Sequence, residues 1–463
     1  MTDKIHFGTD GWRAVIGADF TYDSLRRVAD AAGRVFASEH PGGRVLVGYD
    51  TRFQAGAFAH AAAEVLASHG LEVIVSDRYL PTPALCWAVS RDAAAIGGVM
   101  LTASHNPAEY LGFKLRMQDG GASPVEFTDR VEAALLPEPP TGRGDVAEVD
   151  LVGPYLADLV SIVDARAIRS AGLRVVVDSL YGAGREYLAG VLAGLGVEVI
   201  GLHQDENPHF GGLHPEPIPP WIDEARARVR DERADAGFFT DGDADRIGAA
   251  DREGDFVNPH RIIGLIAQHL VQDKGLSGRV IKTVSTSVLV DRLGSAMGLD
   301  VVTTPVGFKW IYEEMVAGDV LVGGEESGGI GIPSHVRERD GLLMALLLTE
   351  MMAQRGKGLS ELVADMFAIT GPLEYNRIDL RLTPESMAAF RAAMPNLAPA
   401  EIAGMPVHDI SRVDGVKFFL PNDMWLLLRA SGTEPLVRVY AEAPTAEAVE
   451  ALLAAGRSMA NAG

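Results

Sequence analysis

Cysteine is almost missing from this chain. A single thiol, Cys86, in 463 residues excludes an internal disulfide framework and fits a reducing, cytoplasmic setting. Set in Ala84-Leu-Cys-Trp-Ala88, it reads as core. Positive charge is also scarce: 41 Lys and Arg stand against 63 Asp and Glu, a net charge of −22. That balance argues against general nucleic-acid binding, and it means that any anionic substrate needs a local basic pocket. Long apolar runs are absent too. No stretch approaches the roughly 18 residues that span a bilayer, and Met1-Thr-Asp-Lys-Ile-His6 lacks the apolar segment of a signal peptide, so no membrane partner is expected.

With 47% hydrophobic residues, 22% charged residues and no low-complexity tract, the chain reads as a soluble globular protein. Its length suits about three or four domains. A search for repeats gives the organisation. Arg44-Val-Leu-Val-Gly-Tyr-Asp50, Arg174-Val-Val-Val-Asp178 and Arg279-Val-Ile-Lys-Thr283 each read as a strand followed by a helical pattern. Each then enters a matching second strand behind a helix-ending glycine: Gly70-Leu-Glu-Val-Ile-Val75, Gly196-Val-Glu-Val-Ile200 and Gly298-Leu-Asp-Val-Val302. A further helix leads to a third strand, and the three third strands end in Thr102-Ala-Ser-His-Asn-Pro107, Thr240-Asp-Gly-Asp-Ala-Asp-Arg246 and Gly323-Gly-Glu-Glu-Ser-Gly-Gly329.

From about Gly371 the rhythm changes to an α+β pattern that carries a fourth polar loop, Arg429-Ala-Ser-Gly-Thr-Glu-Pro435. The expected architecture is therefore α/β: three successive similar α/β domains plus a C-terminal α+β domain, at 1–145, 146–256, 257–370 and 371–463. The Pro-rich stretch 137–142 is a candidate linker. Ligands of α/β sheets gather beyond the carboxyl ends of strands, so three polar loops at corresponding strand ends suggest one cleft with several walls.

Each loop has its own chemistry. In 241–246 carboxylates alternate with small residues, so Asp241, Asp243 and Asp245 can converge, and an oxygen-only set suits Mg²⁺. An EF-hand-like Ca²⁺ loop is the alternative, but its twelfth position would be Arg252. Ser104 reads either as a turn residue before Asn106-Pro107 or as a phosphoryl acceptor beside that metal. His105 and Lys114 are near enough in sequence to carry protons or touch phosphate, and Lys114 reads equally as a solvated strand-end lysine. The 429–435 loop joins a guanidinium, hydroxyls and a glycine that frees backbone N–H groups, a means of gripping phosphate that an ordinary β-turn would also allow. Gly324-Glu-Glu-Ser-Gly-Gly329 offers carboxylates to vicinal sugar hydroxyls.

These loops, with Phe7-Gly-Thr-Asp-Gly-Trp-Arg13, make the chain resemble the α-D-phosphohexomutase family of phosphoglucomutases and phosphomannomutases along nearly its whole length. The resemblance implies four domains around a central cleft, a phosphoserine at Ser104, and Mg²⁺ held by Asp241, Asp243 and Asp245 with Ser104. It implies sugar recognition by Glu325 and Ser327, and a phosphate site of Arg429, Ser431, Gly432 and Thr433. Arg13, His105, Lys114 and Arg246 would lie near the transferring group. Gly329 stands where some members carry histidine, and Thr304-Pro-Val-Gly-Phe-Lys-Trp310 looks more like the phosphoglucomutase loop, which brings in Gly307. Lys282 and Lys309 are candidate contacts to the distal phosphate or else surface lysines.

The expected activity is interconversion of hexose 1- and 6-phosphates, glucose preferred and mannose accepted, through a hexose 1,6-bisphosphate intermediate that also serves as activator. Mannose or glucosamine phosphate as main substrate, a Mg²⁺-dependent phosphatase and a non-catalytic sugar-phosphate sensor are the alternatives. A monomer and a homodimer are both compatible with the sequence.

Overall fold

The computed structural model describes residues 5–8, 10–431 and 435–461. Each β-branched run becomes the central strand of a sheet. Arg44–Tyr49 lies between Glu72–Ser76 and Ala95–Leu101 and is parallel to both. Arg174–Asp178 holds the same place between Glu198–Leu202 and Ala236–Thr240, and Arg279–Thr283 between Val301–Thr304 and Val320–Gly324. Val45, Leu46 and Val47 are buried, as the near-continuous apolar run of a doubly covered parallel strand requires. The helix-ending glycines take left-handed φ of 78° at Gly70, 87° at Gly196 and 69° at Gly298, a conformation that costs other residues a Cβ clash.

After each third strand the chain doubles back as a fourth, antiparallel one: Tyr110–Met117, Ile247–Asp251 and Ile330–Gly331. Each polar loop is thus the connection of an antiparallel pair, pinned on both sides by ladder hydrogen bonds. The first sheet gains two more strands. Trp12–Val15 pairs antiparallel with Tyr110–Met117, which sets Arg13 opposite Gly112. Ala147–Val149 adds beside Glu72–Ser76, so the chain still belongs to the first sheet past the 145/146 join expected from sequence.

The last domain is an antiparallel sheet in the order Glu374–Arg381, Leu436–Ala443, Trp425–Ala430, Val416–Phe419, Asp409–Ser411. The helices Pro384–Ala393 and Ala446–Asn461 supply Met387, Phe390, Leu452 and Leu453 to its core. The domains are packed on one another. A single apolar cluster runs from Leu85 and Val89 through Tyr155, Leu188 and Phe238 to Ile262, Leu346, Trp425 and Tyr440. At the border of the third and fourth domains the buried Glu442 carboxylate accepts the Val288 N–H at 2.9 Å and Trp425 Nε1–H at 2.6 Å. Lys417 Nζ donates to Val284 O at 2.7 Å and lies 3.7 Å from the Trp425 ring centre.

A buried donor without an acceptor costs roughly 1–3 kcal/mol. Glu442→Ala orphans two donors at this border, so the urea midpoint should fall by a stability loss of that order per donor, with the fourth domain losing its protease protection first.

Candidate active site

Ser104 is buried in the bend between Ala95–Leu101 and Tyr110–Met117, with φ of 51°. The positive φ turns loop carbonyls inward, and one side chain collects them. Arg52 donates from Nη2 to Ser104 O and Asn106 O, both at 2.6 Å, and from Nη1 to Pro107 O at 2.7 Å and Tyr110 O at 3.0 Å. Its Nε lies 3.2 Å from Asp50. The serine N–H donates to Thr102 Oγ1 at 2.9 Å, and its hydroxyl donates to Asp241 Oδ2 at 3.0 Å.

That last bond crosses from the first domain to the second, where Asp241, Asp243 and Asp245 sit fully buried after Ala236–Thr240. A Cβ added at Gly242 would lie 2.3 Å from Ser104 O, so the two loops meet where a side chain is missing. One oxygen from each aspartate falls within 4.8 Å of the others. Asp243 Oδ2 accepts Thr82 Oγ1 at 2.7 Å and Lys114 Nζ at 3.1 Å, whereas Asp243 Oδ1 and Asp245 Oδ1 are buried and accept no hydrogen bond. Burial, with Asp245 and Asp243 adding repulsion, raises the Asp241 carboxyl well above its usual range. Burial raises Asp245 to about 6, against the pull of Arg339. At Asp243 burial is outweighed by Lys114, Thr82 and Arg339, which hold it low. Converging all-oxygen donors with unsatisfied buried lone pairs fit a hard divalent cation such as Mg²⁺.

The expected cations surround this cluster. Lys114, buried, lies 2.8 Å from Asp10 Oδ2 as well as beside Asp243, so the solvated strand-end reading of it is excluded. Arg13 donates to Asn106 Oδ1 at 2.6 Å and lies 3.4 Å from Asp10. Arg246 binds Asp241 Oδ1 through its backbone N–H at 3.1 Å, while its Nη1 donates to Glu216 at 3.4 Å. His105 Nδ1 is 3.4 Å from Ser104 Oγ, and burial together with Arg246, Arg13 and His214 keeps its ring well below the usual histidine range.

Two further charged residues, neither given a role from the sequence, complete the arrangement. Asp10 faces Lys114, Arg13, Arg116 and Arg339, and these cations overcome burial to hold its carboxyl well below normal. Arg339 lies 2.8 Å from Asp245 and 3.9 Å from Glu325. A Cβ at Gly329 would lie 2.3 Å from Arg339 Cδ, so the arginine stem fills the room that a side chain at 329 would need. Asp10 lies within the 7–13 motif without a role of its own there, whereas Arg52 and Arg339 stand outside the motifs and reach partners distant in sequence; only the placing of Arg52 two residues after Asp50, at the end of Arg44–Tyr49, was a local hint.

The sugar-side residues are partly assembled. Glu325 is buried, pushed up to about 7 by that burial, and accepts the Gly307 N–H at 3.1 Å. Ser327 is half-buried two residues on. Lys309 lies in the first turn of Phe308–Ala317 with Nζ 4.4 Å from the Trp310 ring centre, beside a crevice lined by Asp10 and Gly11. Lys282 is buried, which removes the surface-lysine reading. Its ammonium donates to Ser287 O at 3.0 Å and to Asp291. Arg429 Nε donates to Asp414 Oδ2 at 2.8 Å, and Ser431 O accepts from Arg391 at 2.5 Å. Gly432 and Thr433 lie outside the described residues.

Three α/β units and an α+β unit that bring a buried serine, an aspartate triad and a ring of cations together define a class of enzyme cleft suited to phosphoryl chemistry. Known proteins agree. Models of the phosphoglucomutase/phosphomannomutase alpha/beta/alpha domains I, II and III match residues 4–139, 153–254 and 258–369, and the C-terminal domain matches 383–457. A phosphoglucomutase/phosphomannomutase of Thermococcus kodakarensis is 32% identical over 97% of both chains. A phosphoglucosamine mutase of Frankia casuarinae is 36% identical over 96% of both. A crystal structure from Thermus thermophilus, provisionally named a phosphomannomutase, superposes with a TM-score of 0.89 at 39% identity, covering 99% of each chain. The chain belongs to the phosphoglucomutase/phosphomannomutase family, the α-D-phosphohexomutases. It is an isomerase of the intramolecular phosphotransferase type.

The Ser104–Gly242 contact yields a sharp test. Gly242→Ala should separate the two loops by a fraction of an ångström to an ångström, and misplacement on that scale costs about 10²-fold in kcat. Circular dichroism and the melting temperature should remain close to those of the parent.

Proposed function

We propose that the chain interconverts hexose 1-phosphates and hexose 6-phosphates through a phosphoserine at Ser104, with glucose preferred and mannose accepted. The observation that carries this reading is the 3.0 Å bond from Ser104 Oγ to an aspartate triad with unsatisfied oxygens, enclosed by Lys114, Arg13 and Arg246. Arg429, held by Asp414 on the fourth domain, is the candidate for a second anion grip. A phosphatase has no use for that second grip, and a sensor has none for the triad.

In this mechanism the phosphoryl group on Ser104 passes to the free hydroxyl of a hexose phosphate. The serine P–O bond breaks, the sugar P–O bond forms, and the proton lost by the sugar hydroxyl ends on the departing Ser104 Oγ by way of a proton carrier. His105, with Nδ1 3.4 Å from Ser104 Oγ, is placed to carry that proton; burial and neighbouring cations disfavour its protonated form, so it passes the proton on rather than keeping it. Lys114, Arg13 and Arg246 neutralise charge on the equatorial oxygens, with Asp10 holding Lys114 and Arg13 in place and Glu216 holding Arg246. Asp241, Asp243 and Asp245 would hold Mg²⁺, which when bound supplies further charge neutralisation at the phosphoryl oxygens. The 1,6-bisphosphate then turns in the cleft and returns its other phosphoryl group to Ser104, its distal phosphate gripped by the 429–433 loop while Glu325 and Ser327 hold sugar hydroxyls.

Ser104→Ala removes the acceptor and leaves these grips intact. It should bind glucose 1-phosphate with an affinity near the parent's, and intact mass after incubation with the 1,6-bisphosphate should show no added phosphate. Near-normal turnover by the alanine variant would return Ser104 to the role of a turn residue.

Substrate preference follows from which hydroxyls are read. Glucose and mannose differ only at C2, and contacts from Glu325 and Ser327 to hydroxyls that both sugars share give little leverage there. We expect kcat/KM for 1-phosphates in the order glucose, mannose, glucosamine, each measured with a catalytic amount of the matching 1,6-bisphosphate. Mannose or glucosamine ahead of glucose by tenfold, about 1.4 kcal/mol in transition-state binding, would reverse the preference and leave the mutase reading standing.

A further inference from the structure

Asp414 belongs to none of the sequence motifs, yet it bridges two domains at the cleft. The turn Asp414-Gly415 precedes the strand Val416–Phe419. Gly415 has φ of 84°, and a Cβ there would lie 2.4 Å from Leu428 O and 3.1 Å from Arg429 Cα. The turn is therefore pressed against the backbone that carries Arg429, which fixes the aspartate beside the guanidinium. One oxygen, Oδ2, accepts both Arg429 Nε–H at 2.8 Å and the Val306 N–H of the third domain at 3.0 Å. The next N–H in that loop, Gly307, is the one taken by Glu325 at 3.1 Å. A continuous polar chain thus runs from Arg429 through Asp414 and the 306–307 backbone to Glu325.

A guanidinium held through Nε has its plane set, and its Nη pair is the edge that meets two phosphate oxygens in bidentate fashion. Asp414 and Arg429 are both partly exposed, with side chains 24% and 20% accessible, so their ion pair contributes little to folding. Its effect lies in orientation. Building on the phosphohexomutase reading, we propose that Asp414 is a positioning residue that aims Arg429 at the substrate phosphate and ties that grip to the sugar-reading loop of Glu325. Phosphate capture in the fourth domain and sugar capture in the third are then one event.

The test measures kcat and KM for glucose 1-phosphate in the presence of its 1,6-bisphosphate, and the dissociation constant of glucose 1-phosphate by calorimetry in a Ser104→Ala background. Asp414→Ala should raise KM and the dissociation constant about tenfold, the loss of one charge-assisted hydrogen bond, with kcat within about twofold of the parent. Asp414→Asn, whose amide oxygen can still accept both hydrogen bonds, should show a smaller rise in the same direction, and it carries the test alone should the alanine variant not fold. Combined with Glu325→Gln, Asp414→Ala should raise the dissociation constant by less than the product of the single effects, since both changes cut one chain. Unchanged or tighter binding in the Asp414 variants overturns the proposal, tighter binding meaning that the aspartate merely competes with phosphate for Arg429. A fall in kcat at constant KM, or independent multiplicative effects with Glu325→Gln, overturns it too. Failure of the parent enzyme to interconvert hexose phosphates strikes the functional reading itself, whereas a working parent with unaltered Asp414 variants strikes only the positioning role.

Discussion

The arrangement depends on a close approach of two loops from different domains. Ser104 reaches Asp241 because Gly242 has no side chain, and because Arg52 pulls four loop carbonyls into a left-handed bend behind the serine. The serine loop finds its donors within its own domain, whereas the aspartate loop borrows Thr82 and Lys114 from the first domain and Arg339 from the third. Buried carboxylates need such partners, so the aspartates keep their places only where the domains meet.

Charge explains the next layer. A chain with net charge −22 gathers Arg13, Lys114, Arg116, Arg246 and Arg339 around one cleft, each matched to Asp10, Asp241, Asp243, Asp245 or Glu338. The pairing is incomplete by design of the geometry: Asp243 and Asp245 retain oxygens with no hydrogen-bond donor. Unsatisfied buried carboxylate oxygens beside a ring of cations are an electrostatic arrangement suited to a divalent cation and a phosphoryl group. The same logic accounts for Gly329, whose missing side chain leaves room for the Arg339 stem.

The domain borders divide the labour. Between the third and fourth domains, Glu442, Trp425 and Lys417 form a dry anchor, while Asp414 makes a wetter contact nearer the cleft. The border is thus closed to water on one side and partly open to it on the other.

Much of this was legible in the chain itself. The β-branched runs at Arg44, Arg174 and Arg279, and the glycines that end the following helices, are local signals, since a strand between two covered faces must be apolar and a left-handed helix end must lack a Cβ. The alternating aspartates of 241–245 and the Ser104 loop were legible for the same reason, being short patterns whose chemistry depends on near neighbours. The fourth strand of the second repeat was not, because Ile247-Gly-Ala-Ala-Asp251 is buried by its place in the sheet and carries only one β-branched residue. Nor could the sequence distinguish Lys114 from Lys282: one ammonium is drawn into the aspartate cluster and the other into its own domain by Asp291. Arg52, Arg339 and Asp414 act on partners up to hundreds of residues away, and only the folded chain brings such charges within hydrogen-bond reach. Sequence determined which groups could do chemistry, and tertiary structure decided which of them meet.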